Sequence, residues 1–576
     1  MPDSCSGQVA VREVARTALE KALPSGQTGR EIPDDLLDAV AFGRGEREKV
    51  REETLRLFGT ERPLDLVLFD TDRIASYVFE SSRPPVITGA SALLRELNEG
   101  IGKAYEGWVL FSGGGEGMLL VPSGRGEGVC QAIEGDYARK TEGALIVTTG
   151  FLPAGPQDFI GLDGGEKGSE GARLVSGTRA MLAALRDQIR RKKDAKIGRE
   201  NTVPGDKRRC VSCRDREEGR KKVSDYRQDE SGKICKACER RWEAGKDEID
   251  GISFEDVVES FREGMGLSPS EGGKTGSIGF LYADGNGMGN LFGGLHSLSD
   301  LAFLSKAVRC VSERVEERAK EEVETVTGKT GKKRPFVSYL GGGDEAIWIL
   351  PAALALRVAE RLPLWIGEEC RAIEGLAGFL DKRTGSQTLT FGAGLVLCSS
   401  HYPVRYQYEL ARELQKNAKK TFYAGETVSS IDFEVLTESS PLSDDLASSR
   451  SLAYRTEEPG FFRTCRPYTV DGFAELLWRI REARIRGVAT SQLHTLQSGS
   501  AEGRSVFLNH LRYQIARKAA GLSYQSWLDS LDVPPGDPGA IESFFIKDLP
   551  GGASGVWITD GLQLVPFLDQ LSREER

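Results

Sequence analysis

The chain has 576 residues, of which 39% are hydrophobic and 28% are charged, and its formal net charge is −9. At about 100–200 residues per domain, this length predicts roughly three to five domains, each able to bury its own core. The acidic balance argues against a protein that coats nucleic acid by itself.

Neither a membrane segment nor a signal peptide is predicted. The sequence holds no run of about 18 uncharged apolar residues, and its first residues lack a basic stretch followed by an apolar one. Ten cysteines are few for this length, which suits a reducing compartment, so we expect a cytoplasmic protein. No two of the four histidines lie within ten residues of each other, which disfavours a metallohydrolase built on clustered histidines.

Residues 1–60 are polar and show helical periodicity over 11–23 and 34–58, so we predict an N-terminal helical cap. Residues 61–173, called the first module below, begin with an apolar strand over 64–70 and a helical pattern near 90–97. A strand, a glycine turn and a strand follow over 108–122, and another strand over 144–149. This order is the ferredoxin-like β-α-β-β-α-β unit.

Residues 174–270 are predicted to link the first module to a second one. They open with an amphipathic helix over 174–193 and continue with a basic segment that carries two CxxC motifs 21 residues apart. The thiolates of these motifs would close a tetrahedral site with no open position, which predicts a structural zinc ion. Its ligands would be Cys210, Cys213, Cys235 and Cys238.

The same segment is strongly basic. Between residues 190 and 241 there are 19 Lys and Arg against 10 Asp and Glu, a net charge of +9 inside an acidic chain. The segment could therefore contact RNA phosphates, and an ordinary solvated surface with salt bridges explains the pattern equally well.

Residues 271–436, the second module, repeat the pattern of the first, with strands predicted over 278–284, 336–351 and 389–398 and a helix over 301–319. The fold class is therefore α+β, with two ferredoxin-like domains that arose by duplication and pack as a pseudo-twofold pair. Residues 437–576 are predicted to form a C-terminal helical domain, most clearly over 470–486 and 504–518.

The second module carries three acidic residues where its strands end. Asp284 ends the first strand, and Asp344 and Glu345 follow the glycines of the hairpin turn. Because the first strand lies beside the hairpin in this fold, the three carboxylates should converge. With no histidine or thiolate nearby they suit Mg²⁺ or Mn²⁺, which can hold a nucleoside triphosphate and activate a 3′-hydroxyl for attack on the α-phosphorus. We predict these three as catalytic residues and metal ligands.

Glycines flank these acids and would leave the backbone bare for contact with phosphates. The nucleotide-binding residues predicted in this module are Gly285, Asn286, Gly287, Gly342 and Gly343. By itself, either glycine-rich stretch could be an ordinary β-turn.

The first module is not equivalent to the second. It keeps Gly113-Gly114-Gly115-Glu116 but has Gly117 where the second copy has Glu345, so one metal ligand is missing despite Asp70 and Asp72. We predict that this module holds a nucleotide, through Asp70, Gly114 and Gly115, and is not a second catalytic centre. A purely structural role is the alternative.

Several stretches taken together resemble a known family, the large polymerase-cyclase subunit of type III CRISPR effector complexes, Cmr type. In the second module they are Asp284-Gly-Asn-Gly-Met-Gly289, Gly342-Gly343-Asp344-Glu345, 409–419 and 429–433; in the first they are 69–79 and 88–91. The resemblance covers roughly residues 60–520.

The resemblance implies conversion of ATP into 3′–5′ cyclic oligoadenylates, with ATP bound between two palm domains. It also implies partner subunits with guide and target RNA, and a triphosphate-facing lysine at Lys419. Two departures are Glu345 in place of an Asp, as in diguanylate cyclases, and Asn286 in place of a frequent Asp. The family's His-Asp nuclease domain is not expected, because no histidine precedes residue 296. Two alternatives stay open, a non-catalytic scaffold that binds nucleotide or RNA and a diguanylate-cyclase-like enzyme.

Overall fold

The computed structural model describes residues 7–81, 83–160, 177–196, 208–223, 232–248, 254–264, 276–327, 335–340, 343–436, 446–516, 518–534 and 537–571. No helix within these ranges is long and apolar enough to span a membrane.

The chain starts with three helices, as the N-terminal cap predicted. They are α1 (Gly7–Ala22), α2 (Asp34–Phe42) and α3 (Arg47–Phe58). The single helical pattern expected over 34–58 is divided in two, because Gly43 adopts a left-handed φ of 65° and its N–H caps α2.

The first module forms a four-stranded sheet with helices. Its elements are β1 (Leu64–Thr71), α4 (Ile74–Val78), α5 (Pro84–Ala104), β2 (Val109–Gly113), β3 (Glu116–Pro122), α6 (Gly126–Lys140) and β4 (Val147–Ala154). The strand order is β2-β3-β1-β4, and β1 runs antiparallel to both neighbours. This is the ferredoxin-like arrangement that the sequence predicted.

A helix and a small cysteine-bearing unit follow the first module. Their elements are α7 (Gly177–Lys196), β5 (Lys221–Val223), β6 (Gly232–Ile234), α8 (Lys236–Glu248) and α9 (Phe254–Gly264). The strands β5 and β6 form a two-stranded antiparallel sheet, and α8 packs along α5 of the first module.

The second module repeats the ferredoxin-like order and extends it. Its elements are β7 (Ser277–Gly285), α10 (Met288–Gly293), α11 (Leu298–Thr327), β8 (Val337–Leu340), β9 (Glu345–Pro351), α12 (Ala352–Ala372), α13 (Leu376–Thr384), β10 (Phe391–Ser399), α14 (Val404–Tyr423) and β11 (Ser430–Val435). The order β8-β9-β7-β10 matches that of the first sheet. On the far side of β10, β11 pairs parallel to it, and a short strand of the C-terminal part, Tyr468–Thr469, pairs antiparallel to β11.

The C-terminal part is mostly helical, as predicted. It contains α15 (Leu446–Tyr454), β12 (Phe461–Phe462), β13 (Tyr468–Thr469), α16 (Val470–Ile485), α17 (Thr490–Ala501), α18 (Arg504–Ala516), α19 (Lys518–Ser530), α20 (Pro538–Phe545), β14 (Ile546–Leu549), β15 (Ala553–Val556) and α21 (Ile558–Leu571). The sheet β12-β15-β14 was not predicted, because strands of two to four residues are too short to show a period of two.

Both faces of each palm sheet are buried, so successive side chains along a strand belong alternately to two cores. In β7, Phe280 and Tyr282 join the core between the modules, whereas Leu281 faces the core under α11 and α12. The face of the second sheet that carries Tyr282 is covered by α14, and the corresponding face of the first sheet is covered by α7. The duplication therefore extends to the helix that comes after the last strand of each ferredoxin-like unit, α7 after β4 and α14 after β10.

The two modules contact each other through an aromatic cluster and through their glycine turns. The ring of Phe79 stacks on Tyr408 with centroids 4.4 Å apart and meets Tyr339 edge to face. A Cβ atom placed on Gly343 would lie 3.4 Å from the Cα of Gly114. The hairpin turns therefore meet across the module interface at ordinary van der Waals distance.

Glycine also sets the contact between α5 and α8. A Cβ atom on Gly89 would lie 1.6 Å from the carbonyl oxygen of Arg241, and one on Gly245 would lie 2.1 Å from that of Pro85. Substitution Gly89→Ala should therefore force the helices apart and destabilise the protein by about 1–3 kcal/mol. Thermal unfolding would measure this as a lowered apparent Tm.

Gly102 in the same helix provides the matched control. A Cβ atom there has no neighbour within 4 Å, so Gly102→Ala should leave the Tm unchanged or raise it through the better helix propensity of alanine. Equal effects of the two substitutions would contradict the close packing of α5 on α8.

Candidate active site

The pairing of two central strands brings the predicted acidic residues together. In the antiparallel ladder of β7 and β9, Asp284 lies directly opposite Glu345. Residues in register on neighbouring strands point to the same face, so both carboxylates face the side that α14 covers. The N–H of Gly285 donates to the carbonyl of Asp344 at 3.0 Å, which fixes the third acidic residue beside the other two.

Helix α14 supplies the partners of Asp284. The ammonium of Lys419 donates to Asp284 Oδ2 at 2.6 Å and to the carbonyl of Gly285 at 2.8 Å, and Gln415 Nε2 donates to Asp284 Oδ2 at 3.0 Å. Residues 415 and 419 lie one helical turn apart and therefore share a face of the helix. The lysine singled out by the resemblance is thus in direct contact with a predicted metal ligand.

Glu345 is held by a tyrosine that the sequence analysis did not single out. The hydroxyl of Tyr282 donates to Glu345 Oε1 at 3.1 Å. Burial, followed by the negative charge of Asp284, raises the pKa of Glu345 to about 7, while the bond from Tyr282 lowers it. Burial also raises the pKa of Asp284 and of Asp344. A bound cation would offset the burial and the mutual repulsion that raise the pKa of these carboxyl groups.

The glycine-rich loop after β7, which directly follows Asp284, has a defined conformation. Gly287 adopts a left-handed φ of 64°, and a Cβ atom there would lie 2.9 Å from the ring of Phe422. The amide of Asn286 donates to Thr390 Oγ1 at 3.1 Å and to the carbonyl of Val428 at 3.3 Å. Its side chain therefore ties the loop to the neighbouring segments.

The predicted Gly342 lies outside the described residues, whereas Gly343 lies at the hairpin turn against Gly114.

The strand register corrects the comparison of the two modules. Sequence alignment placed Gly117 at the position of Glu345, but Asp70 lies opposite Glu116 in the ladder of β1 and β3, just as Asp284 lies opposite Glu345. With Glu116 placed on Glu345, Phe111 opposite Met118 also matches Leu340 opposite Ile347. The two hairpin turns are therefore equally long, and only their glycine runs are offset by one residue.

Backbone hydrogen bonds give the same equivalence. The N–H of Thr71 donates to the carbonyl of Gly115 at 2.9 Å, as that of Gly285 donates to Asp344. The first module thus keeps a counterpart of Glu345, namely Glu116, and has Gly115 in place of Asp344.

One continuous cleft of about 2580 Å³ runs between the modules and reaches both acidic centres. Asp344, Glu345 and Tyr408 line it on the side of the second module, and Asp70 and Glu116 line it on the side of the first. Asp284 lines a smaller cavity together with Gly285 and Met288. The cleft is large enough to hold nucleotides against both modules.

The four cysteines form a compact buried group. Their sulfur atoms lie within 4.8 Å of one another, and those of Cys213 and Cys235 are 3.9 Å apart. This group could hold a zinc ion with four thiolates. Within the described ranges it is the one group of His, Cys, Asp and Glu whose ligand atoms gather so closely; the oxygens of Asp284, Asp344 and Glu345 are more widely spread.

The cysteine group is attached to the first module by two arginines, of which Arg241 is buried. The guanidinium of Arg241 donates to Cys238 Sγ at 3.3 Å, to the carbonyl of Tyr77 at 2.9 Å and to Glu80 at 2.6 Å. Arg216 also pairs with Glu80, at 2.7 Å. Two arginines of the basic segment that we considered for RNA contact therefore form ion pairs within the protein.

Three residues of the site were not predicted: Tyr282, Gln415 and Lys193. Two of them carried a usable signal. Tyr282 precedes Asp284 by two residues on a strand, so both share a face, and Gln415 precedes Lys419 by one helical turn. Lys193 of α7 contacts Asp70 and Asp72, each at 2.7 Å. That contact joins residues more than 120 positions apart and could not be read from local spacing.

Comparison with known proteins agrees with this geometry. Residues 277–424 match the family model described as the second palm domain of Cas10/Cmr2. No match was found among the curated proteins.

Solved structures share the fold over most of the chain. Csm1 in T. onnurineus superposes with a TM-score of 0.53 at 14% identity, covering 88% of this chain and 70% of that one. A Csm1–Csm4 cassette in complex with pppApApA gives 0.51 at 15% identity, covering 96% and 72%. The cassette in complex with cA3 gives 0.50 at 15% identity, covering 88% and 70%.

The resemblance to the large subunit of type III CRISPR effector complexes is therefore confirmed. Residues 277–424 are similar to the second palm domain of Cas10/Cmr2, and the chain shares the fold of Csm1.

The environment of Glu345 predicts how it titrates. In metal-free protein its carboxyl should lose its proton near pH 7, well above the ordinary range of a glutamate, because burial and Asp284 oppose the charge. Substitution Tyr282→Phe removes a hydrogen bond to the carboxylate and should move the midpoint to higher pH. Carboxyl NMR of ¹³C-labelled glutamate would measure both midpoints, with Glu345→Gln assigning the signal. A midpoint near 4.5 would contradict the buried environment.

Proposed function

We propose that the second module is a nucleotidyltransferase that converts ATP into 3′–5′ cyclic oligoadenylates, as the large subunit of a type III CRISPR effector complex. The observation that carries the proposal is the set of carboxylates at the facing ends of β7 and β9: Asp344 and Glu345 line the cleft between the modules, and Lys419 contacts Asp284 beside them. The match to the Cas10/Cmr2 palm and the nucleotide complexes of the Csm1–Csm4 cassette support it.

The acidic residues fit a divalent cation. Asp284, Asp344 and Glu345 offer hard carboxylate oxygens, and each has a raised pKa in a buried setting where a cation would relieve the repulsion. Bound there, Mg²⁺ or Mn²⁺ would supply charge neutralisation and favour ionisation of the attacking 3′-hydroxyl.

The chain's own groups would orient the reactants. Each transfer joins a 3′-oxygen to an α-phosphorus, breaks the bond to pyrophosphate and releases the hydroxyl proton to water; the last transfer closes the ring. Lys419 places an ammonium 2.6 Å from Asp284, where it can neutralise phosphate charge as the triphosphate enters. Gly343 and Gly114, which line the cleft, keep the turns free of side chains.

The proposed partners follow from the same relatives. The cassettes that share the fold contain Csm4 beside Csm1, and we propose that this chain likewise assembles with other type III subunits, guide RNA and target RNA. The first module would hold a second nucleotide across the cleft, through the surroundings of Asp70, Gly114 and Gly115.

The test incubates the purified chain with each NTP and Mg²⁺ or Mn²⁺, with and without RNA and partner subunits. We expect cyclic oligoadenylate from ATP by mass spectrometry, and a loss of at least about 100-fold in Asp344→Ala/Glu345→Ala, because that variant loses two of the three proposed cation ligands. His401→Ala, in an exposed loop outside the cleft, is the control and should keep full activity.

Two other outcomes would replace the proposal. A cyclic dinucleotide containing guanine would identify a diguanylate-cyclase-like enzyme. Nucleotide binding without product, in the complete complex with target RNA, would identify a non-catalytic scaffold.

We also propose that the cysteine group binds a structural Zn²⁺. Its four sulfurs are buried and mutually close, and the donor from Arg241 to Cys238 is the kind of outer contact that holds a thiolate ligand in place.

Metal analysis tests the zinc site directly. We expect one zinc ion per chain after dialysis, and its loss in Cys238→Ser together with earlier proteolysis of α8, since four ligands are needed to close the site. Cys310→Ser, in α11 and outside the group, should retain the zinc. Equal zinc contents in the two variants would refute the assignment.

A further inference from the structure

Helix α7 is the counterpart of α14. Each follows the last strand of its ferredoxin-like unit, β4 or β10, and packs on that strand. Each covers the sheet face that bears the first acidic residue of the module, Asp70 or Asp284. The helix that the sequence analysis placed in the linker thus occupies a palm position.

The two helices present a lysine to the same point. Lys193 Nζ lies 2.7 Å from Asp70 Oδ2, as Lys419 Nζ lies 2.6 Å from Asp284 Oδ2. Lys193 differs from Lys419 in forming a second ion pair, because its Nζ also lies 2.7 Å from Asp72 Oδ1. The residue equivalent to Asp72 in the second module is Asn286, whose side chain donates to Thr390 and Val428.

The remaining positions of the first centre follow from the strand register. Glu116 corresponds to Glu345, and Gly115 to Asp344. Burial, followed by the charge of Asp70, raises the pKa of Glu116, while Arg186 and Lys193 lower it. The first centre thus keeps three carboxylates, those of Asp70, Asp72 and Glu116. An ammonium group bridges two of them.

We propose that the first module retains a divalent-cation site in which the ammonium of Lys193 takes the place of the ion. The carboxylates of Asp70 and Asp72 hold Lys193 as a resident cation. A nucleotide phosphate that reaches this end of the cleft would meet Lys193 and Arg186, which both line it, and no divalent ion. This inference rests on the proposed function in one respect: it takes the acidic residues of the second module to bind a divalent cation.

Counting bound Mn²⁺ by electron paramagnetic resonance on the zinc-loaded full chain tests the proposal. We expect one ion per chain in the wild type and two in Lys193→Gln, because removal of the ammonium uncovers Asp70 and Asp72. The added ion should disappear in Lys193→Gln/Asp72→Asn. Lys193→Met, which keeps the apolar stem of the side chain, should also bind two ions and guards against a folding defect of the first variant.

Lys196→Gln is the matched control. This lysine lies on the same helix and donates to the carbonyl of Val147 and to Thr148 Oγ1, so its removal should leave one ion. An unchanged count in both Lys193 variants, or a wild-type ion that is lost in Asp72→Asn, would overturn the proposal. A gain of one ion over a wild type that binds none would uphold it while refuting the cation site of the second module. Failure of the two proposals can therefore be told apart.

Discussion

The antiparallel pairing of β7 with β9 is the constraint on which the site depends. It places Asp284 opposite Glu345 and brings in Asp344 through the backbone hydrogen bond of Gly285. A slip of one residue in this ladder would turn Glu345 to the opposite face of the sheet. The alternating apolar residues of β7 and β9, which bury both faces, therefore fix the chemistry together with the core.

Duplication explains how one cleft acquires two unequal centres. Both modules have an acidic residue at the end of the first strand and a glutamate opposite it on the neighbouring strand. In both, a lysine on the helix after the last strand of the unit pairs with the first acidic residue. They differ at two positions, where the second module has Asn286 and Asp344 and the first has Asp72 and Gly115. In the second module Lys419 therefore pairs with Asp284 alone, whereas in the first module the ammonium of Lys193 bridges Asp70 and Asp72.

The cysteine unit contributes to the architecture away from the cleft. Its helix α8 approaches α5 through Gly89 and Gly245, and Glu80 accepts from Arg241 and Arg216. Helix α5 in turn lines the cleft and contacts the second module through the hydroxyl of Ser91, which donates to the carbonyl of Tyr339. A folded cysteine unit thus supports one wall of the proposed nucleotide site.

Strand alternation, glycine turns and CxxC spacing are local patterns, so the amino-acid sequence alone was enough to predict the repeated β-α-β-β-α-β order, the acidic residues Asp284, Asp344 and Glu345 and the four cysteines. The equivalence of Glu116 with Glu345 required the strand ladder, since the glycine runs of the two turns are offset by one residue and aligning them shifts the register. The contacts of Lys193 with Asp70 and of Phe79 with Tyr408 required the tertiary structure, because packing of helices and modules joins residues far apart in sequence.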